Sequence, residues 1–284
     1  MARAISLSEW LLTQGFLVKE SITEYTDCGS LPGICRINIS LKEPFHGDVY
    51  FYYALDRYYQ NHRLYVKSRS DKQLLGNLQE VSECEPYDRT NTSHGEVVIA
   101  PCGAIANSMF NDTFTLYFTG RNDRILVPWT YEGVAWEVDK KYKFRNPPGE
   151  NLREAFKNTA KPPNWQKNIW ELDPEHPDNN GFLNTDFIVW MRTAALPSFR
   201  KLYRKLSRTS GFFFDGLPSG NYELEIVNNY EVSVFGGKKY FVISTTTWIG
   251  GKNPFLGIMY VGVGIFLFGA TRCYCKDPKR IMRR

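Results

Sequence analysis

Between Lys252 and Arg272 the chain carries no charged side chain, and this interval, 253–271, constrains the fold more than any other feature. At ~1.5 Å per residue, its roughly 19 residues give a helix about as long as the ~30 Å thickness of a hydrocarbon core. A buried core helix is the competing reading. Gly257, Gly262, Gly264 and Gly269 weigh against it, because glycine weakens a helix in water and is tolerated in lipid. The interval therefore predicts one C-terminal transmembrane helix. Arg272, Lys276, Lys279, Arg280, Arg283 and Arg284 follow at once, opposed by Asp277 alone. The bias of positive charge towards the cytosol makes 272–284 a basic cytosolic tail and puts the residues before Lys252 on the lumenal or extracellular side.

The tail also accounts for the formal charge of the whole 284-residue chain, +5, so everything before it is balanced. A neutral body has no general attraction for nucleic acid, and that class of partner is set aside. Two features suit an oxidising, glycosylating compartment. Asn-x-Ser/Thr triplets occur at Asn38, Asn91 and Asn111, all upstream of the apolar interval. Cys28, Cys35, Cys84 and Cys102 also precede it, an even number suited to disulfides. Three pairings are open to four cysteines, and short loops favour Cys28 with Cys35 and Cys84 with Cys102. Zinc is the weaker reading, since no Cys-x-x-Cys spacing exists. Cys273 and Cys275 follow the interval, where S-acylation and idle thiols are both open.

Alternating or apolar runs predict strands within Arg36–Leu55 and over Phe114–Thr119, Ile125–Trp129, Val134–Val138, Tyr222–Val227 and Tyr240–Trp248. No regular strand-helix alternation accompanies them, so the fold expected is mainly β with α insertions, an antiparallel ectodomain over 22–252. Helices are expected near Asn151–Lys157 and from Thr185 through Leu206, the second divided by Pro197. Its Phe187, Ile188, Trp190 and Met191 suit a packed core face rather than a cofactor box. The segment 1–21 mixes Trp10, Leu11, Leu12, Phe16 and Leu17 with Glu9, Gln14 and Lys19, which is too short and too mixed for a span.

No nucleotide, nucleophile-elbow, zinc-protease or dinucleotide motif is present, and the dispersed carboxylates form no paired hydrolytic site. His46, His62, His94 and His176 are scattered, and each reads as a surface or hydrogen-bonding residue. The stretch from His176 to Leu183 has the outline of a calcium loop, but His176 stands at its first ligand position and Phe187 at the place of its bidentate acid. A turn before a helix starting near Thr185 or Asp186 is the better reading. Tyr59 to Arg69 mixes aromatic and basic residues, as single-stranded nucleic-acid sites do, yet its expected compartment favours packed polar structure. The chain reads as non-catalytic, with no cofactor or metal.

Several strings are similar to the cell cycle control protein 50 family, also called the Lem3 family. They are Tyr59-Gln60-Asn61-His62-Arg63, Tyr65-Val66-Lys67-Ser68-Arg69, the run Ala100 to Thr113, Lys143-Phe144-Arg145-Asn146-Pro147-Pro148-Gly149, Asp186 to Pro197, and Gly250 to Gly257. The resemblance runs from about Ile22 to Tyr260. It implies a glycosylated β-rich ectodomain in the non-catalytic subunit of a phospholipid-transporting P-type ATPase, which assists exit of that ATPase from the endoplasmic reticulum and its handling of membrane lipid. It also implies glycans at Asn38 and Asn111, a Cys84–Cys102 disulfide, and residence in the endoplasmic reticulum, Golgi and plasma membrane. The family's N-terminal cytosolic tail and first span have no counterpart here, and its first cysteine cluster is reduced to Cys28 and Cys35. The Asp-Lys-Thr-Gly phosphorylation motif of the ATPases themselves is absent. A cell-surface adhesion or receptor ectodomain on a single anchor is the alternative.

Overall fold

A computed structural model describes residues 18–29, 31–92, 95–120, 123–209, 211–246 and 255–276; in the last stretch the side chains of 255 and 258–272 are described. Its strands are β1 (Glu20–Glu24), β2 (Gly33–Leu41), β3 (Phe45–His46), β4 (Val49–Asp56), β5 (Arg89–Thr92), β6 (Gly95–Ile99), β7 (Thr113–Thr119), β8 (Arg124–Leu126), β9 (Trp129–Thr130), β10 (Thr159–Ala160), β11 (Phe199–Leu206), β12 (Gly216–Leu217), β13 (Gly220–Asn228) and β14 (Lys238–Thr245). Two sheets dominate, a five-stranded one in the order β1-β14-β4-β11-β9 and a four-stranded one in the order β2-β13-β7-β8. All their pairings are antiparallel. The short β10–β6 pairing is parallel.

The alternation read from sequence places the core. Val49, Phe51, Tyr53 and Leu55 of β4 are buried, as are Tyr222, Leu224 and Ile226 of β13, while the residues between them are half-buried. The two sheets meet face to face at Phe114 of β7, whose ring lies 5.0 Å from Phe241 and 5.2 Å from Tyr203. Such interleaving of large rings is what fills the ~10 Å between stacked sheets.

Two predicted elements are corrected. Val134–Val138 is not a strand: Val134 and Ala135 are buried in a loop, and a helix begins at Glu137 and runs to Tyr142. Acidic Glu137 and Asp139 in its first turn and basic Lys140 and Lys141 in its last suit the helix dipole, and this charge order prevails over the apolar alternation. The helix expected over Thr185–Leu206 ends at Met191, and Phe199–Leu206 is instead a strand pairing with β4 and β9. Pro197 marks the break between them. The helix near Asn151–Lys157 is present as Leu152–Ala155.

A helix also forms over the uncharged interval, as Phe255–Lys276, continuing into the basic tail; 253 and 254 of the predicted span lie outside the described residues. Among the described residues no helix is long and apolar enough to cross a membrane. From Ile258 to Ala270 the helix is apolar around its circumference and, apart from half-buried Val261, exposed, with Phe266 at 74% and Ile265 at 68%.

Candidate functional site

Three of the strings that carry the resemblance, those containing Ser68, Ala104 and Trp190, meet at one short helix, Ala104–Asn107. Ser68 Oγ accepts from the Ala104 amide at 2.8 Å, which places the end of the Tyr59–Arg69 string at the helix start. Gly103 makes this approach possible, having φ of +95° and a backbone so close to Ser68 that a Cβ would run into its carbonyl. The helix carbonyls then hold two indoles: Trp190 Nε1 donates to Ile105 O at 2.8 Å and Trp165 Nε1 to Ala106 O at 2.7 Å. Gln60 is fully buried and accepts from the Ala194 amide at 2.9 Å. Of Tyr59–Arg69 only Gln60 and Ser68 are buried and serve packing, with Tyr65 and Arg69 half-buried, while Tyr59, Asn61, His62, Arg63, Leu64, Val66 and Lys67 are exposed.

A second polar centre lies between the sheets, where Lys239 and Asp112 form a fully buried ion pair at 2.9 Å. Asp112 also accepts from the Tyr25 hydroxyl at 3.0 Å and from the amides of Asn229 and Tyr230, both at 2.6 Å. Lys239 completes its donors on Asn228 Oδ1 and Tyr230 O. Burial lowers the Lys239 pKa, with Asp112 opposing it, and raises that of Tyr25 well above a phenol's usual value, with Asp112 adding to the shift. Sequence reading missed this pair. Asp112 is hidden inside the Asn111 triplet and Lys239 in a Lys-Lys run, and no local pattern marks either.

Beside this centre opens a cleft of about 920 Å3, lined among others by Asn111, Trp129, Trp165, His176, Asp186 and Arg204. Arg204 clasps Asp186 with two bonds, 2.6 and 3.0 Å; burial opposes its charge, but Asp186 raises its pKa overall. His176 Nδ1 lies 3.2 Å from Asp173, whose carboxylate also accepts from Asn179 Nδ2 at 2.7 Å. The former calcium-loop outline is thus a self-bonded turn. Asn184 caps the following helix by accepting from the Phe187 amide at 2.9 Å, one residue before the predicted start. Among the described residues no group of three or more metal-ligating side chains is close enough to hold an ion.

Of the three glycosylation triplets, Asn38 on β2 and Asn91 on β5 are exposed, and Ser93 lies outside the described residues. Asn111 is half-buried at the rim of the cleft. Its Nδ2 donates to Gln166 Oε1 at 2.9 Å and its Oδ1 is buried without a partner. Cys28 is bonded to Cys35 and Cys84 to Cys102, with Cα separations of 5.8 and 5.6 Å. The side chains of Cys273 and Cys275, His94, and most of the 272–284 tail lie outside the described residues.

The class defined by these features is a disulfide-braced, two-sheet β module with long packed insertions, followed by an apolar helix. The chain belongs to the LEM3 (ligand-effect modulator 3) family / CDC50 family, whose profile matches residues 16–275. It is 54% identical over 242 residues to cell cycle control protein 50A of Mus musculus, covering 82% of this chain and 65% of that protein. Cell cycle control protein 50B of Homo sapiens is 49% identical over 241 residues, covering 82% of this chain and 67% of its own. An Arabidopsis thaliana relative with "ALA-interacting subunit 2" in its name is 39% identical over 246 residues, 84% of this chain and 63% of its own. The chain thus spans about two thirds of the length of these relatives.

Proposed function

We propose that this chain is the accessory subunit of a phospholipid-transporting P-type ATPase, assisting its exit from the endoplasmic reticulum and its transport cycle. ATP hydrolysis and lipid passage belong to the partner, and the chain itself is non-catalytic. The observation that carries this reading is the family match, which runs through the β module and into the apolar helix. A relative whose name includes "ALA-interacting subunit" favours a partner-binding role over an isolated receptor ectodomain.

In this proposal residues 22–252 are a lumenal ectodomain, 253–271 the membrane span and 272–284 a cytosolic tail. A helix apolar around its circumference, with those side chains exposed, calls for an apolar surrounding that the β module does not supply. Asn38, Asn91 and Asn111 carry glycans, and Cys273 and Cys275 are S-acylated at the membrane edge. The protein resides in the endoplasmic reticulum, Golgi and plasma membrane. Surface labelling of a P-type ATPase, expressed with and without this chain, tests the escort role. The proposal expects more ATPase at the surface when the chain is present; equal amounts for every candidate ATPase would contradict it.

A further inference from the structure

The register of the five-stranded sheet gathers the chain's entry and exit at one end. Glu20 at the start of β1 lies opposite Ser244, Thr245 opposite Val49, and Tyr50 opposite Lys205. The Lys19 amide donates to Thr245 Oγ1 and the Thr245 amide to Lys19 O, each at 2.9 Å. Val18 and Thr246, where these two described segments end, therefore lie at the same end of the sheet. From Thr246 to Phe255 the backbone reaches at most ~30 Å, so the apolar helix begins within that distance of this end of the sheet.

The same end carries the turn that follows β11, Gly211-Phe212-Phe213-Phe214-Asp215. It is pinned in place: Arg208 bonds Asp48 at 2.7 Å and the Phe214 carbonyl at 2.8 Å, and the Gly47 amide donates to Asp215 O at 2.9 Å. Phe213 anchors the turn in the core at 3% exposure, while Phe212 and Phe214 on either side are 54% and 55% exposed. Phe212 rests one edge against Phe118, 5.0 Å between centroids. Among the described residues before the helix, no other phenylalanine is exposed. Single apolar side chains on a surface need no explanation. Two rings held outward by a buried third, at the end where the chain leaves for an apolar helix, do need one.

We propose that this turn is a membrane-interface anchor, with Phe212 and Phe214 inserted at the headgroup–acyl boundary of the extracytoplasmic leaflet. This rests on the reading of 253–271 as a span. Large apolar rings at an interface bury area in the acyl boundary while the turn's backbone stays in the headgroup region, and a rigid turn has little ordering entropy to lose on insertion. The anchor fixes the tilt of the β module over the bilayer by adding a second point of attachment beside the helix.

The test uses the full chain with Cys273→Ser and Cys275→Ser, and an environment-sensitive fluorophore on Phe214→Cys. Val234→Cys, 83% exposed beside the start of β14 and so at the opposite end, is the control. Each is reconstituted in phosphatidylcholine vesicles. The expected result is a blue-shifted emission at 214, with several-fold stronger quenching by lipids carrying an acyl-chain nitroxide than at 234. Phe212→Cys, labelled in the same way, gives an independent second position. Labels at 212 and 214 as open to aqueous iodide as the control, on chains that float with the vesicles, would overturn the anchor and leave the span intact. Chains that do not float would overturn the span and the anchor together. Protection from iodide that needs a co-reconstituted P-type ATPase, without nitroxide quenching, would make the turn a protein contact and also overturn the anchor.

Discussion

Asp112 and Lys239 are the most consequential single residues in the described body, because both charges are fully withdrawn from water. Their bonds tie Tyr25 after β1 and the β13–β14 connection to the start of β7. Removing one partner leaves the other charge buried, which typically costs ~3–5 kcal/mol. Lys239→Met should lower the thermal midpoint accordingly, and pairing it with Asp112→Asn should restore part of the loss; additive losses would show that the two are not coupled. Lys201 offers a test by pH. Its ammonium donates to the carbonyls of Val189, Trp190 and Arg192, and burial, then the neighbouring Arg192 charge, lower its pKa to about 7. Between that value and its ordinary ~10.4, the unfolded chain holds a proton that the folded chain has released, so stability rises with pH by up to ~1.4 kcal/mol per unit. Denaturation of the full chain at pH 7.5 and 9 should show this slope, and Lys201→Met should lack it. Equal slopes would mean that Lys201 keeps its proton across the range.

Among the elements, the helix Thr185–Met191 depends on a residue outside it. Asn184 caps its first turn and donates to Asn179 O at 2.8 Å, so Asn184→Ala should destabilise the protein by ~1–2 kcal/mol, measurable as a shift in denaturation midpoint. A shift within ~0.5 kcal/mol, as at ordinary surface sites, would show the cap to be dispensable. The central strands β4, β7 and β13 were legible in the sequence because one face is buried and the alternation is plain, and β14 because it is buried on both faces from Phe241 to Thr245 and runs largely apolar. β11 was not. Arg200, Lys201, Arg204 and Lys205 place cations where a strand's apolar face would be expected, and a bulge between Leu202 and Arg204 breaks the period of two. Buried Lys201 and half-buried Arg204 are tolerated because distant carbonyls and Asp186 receive them, which a local reading does not reveal. The meeting of Ser68, Trp165 and Trp190 at Ala104–Asn107 was likewise illegible, since each contact there joins residues far apart in sequence.

At the scale of the whole molecule, the segment around Cys84 and Cys102 is held by a small apolar cluster of Val81, Cys84, Val98 and Cys102, separate from the main core. Gln73 supports it by accepting from the Cys102 amide at 2.8 Å and donating to Ile99 O at 2.9 Å. So little apolar area leaves the disulfide a large share of the local stability, and its loss, with a sequence separation of 18, should cost ~2–5 kcal/mol. Cells expressing Cys84→Ser with Cys102→Ser should retain most of the protein in the endoplasmic reticulum; normal export would contradict that. The placement of the body across the membrane is tested by N-glycosidase, which should reduce the apparent mass of protein made in cells, while unmodified Asn38, Asn91 and Asn111 would reverse the topology. The central claim, that this module serves a lipid-transporting ATPase, is tested most directly by co-expressing the tagged chain with P-type ATPases and isolating it from mild detergent. The account predicts that at least one ATPase is recovered with the chain in a stable complex and that the chain alone turns over no ATP; recovery of none of them, or ATP turnover by the purified chain, would contradict it.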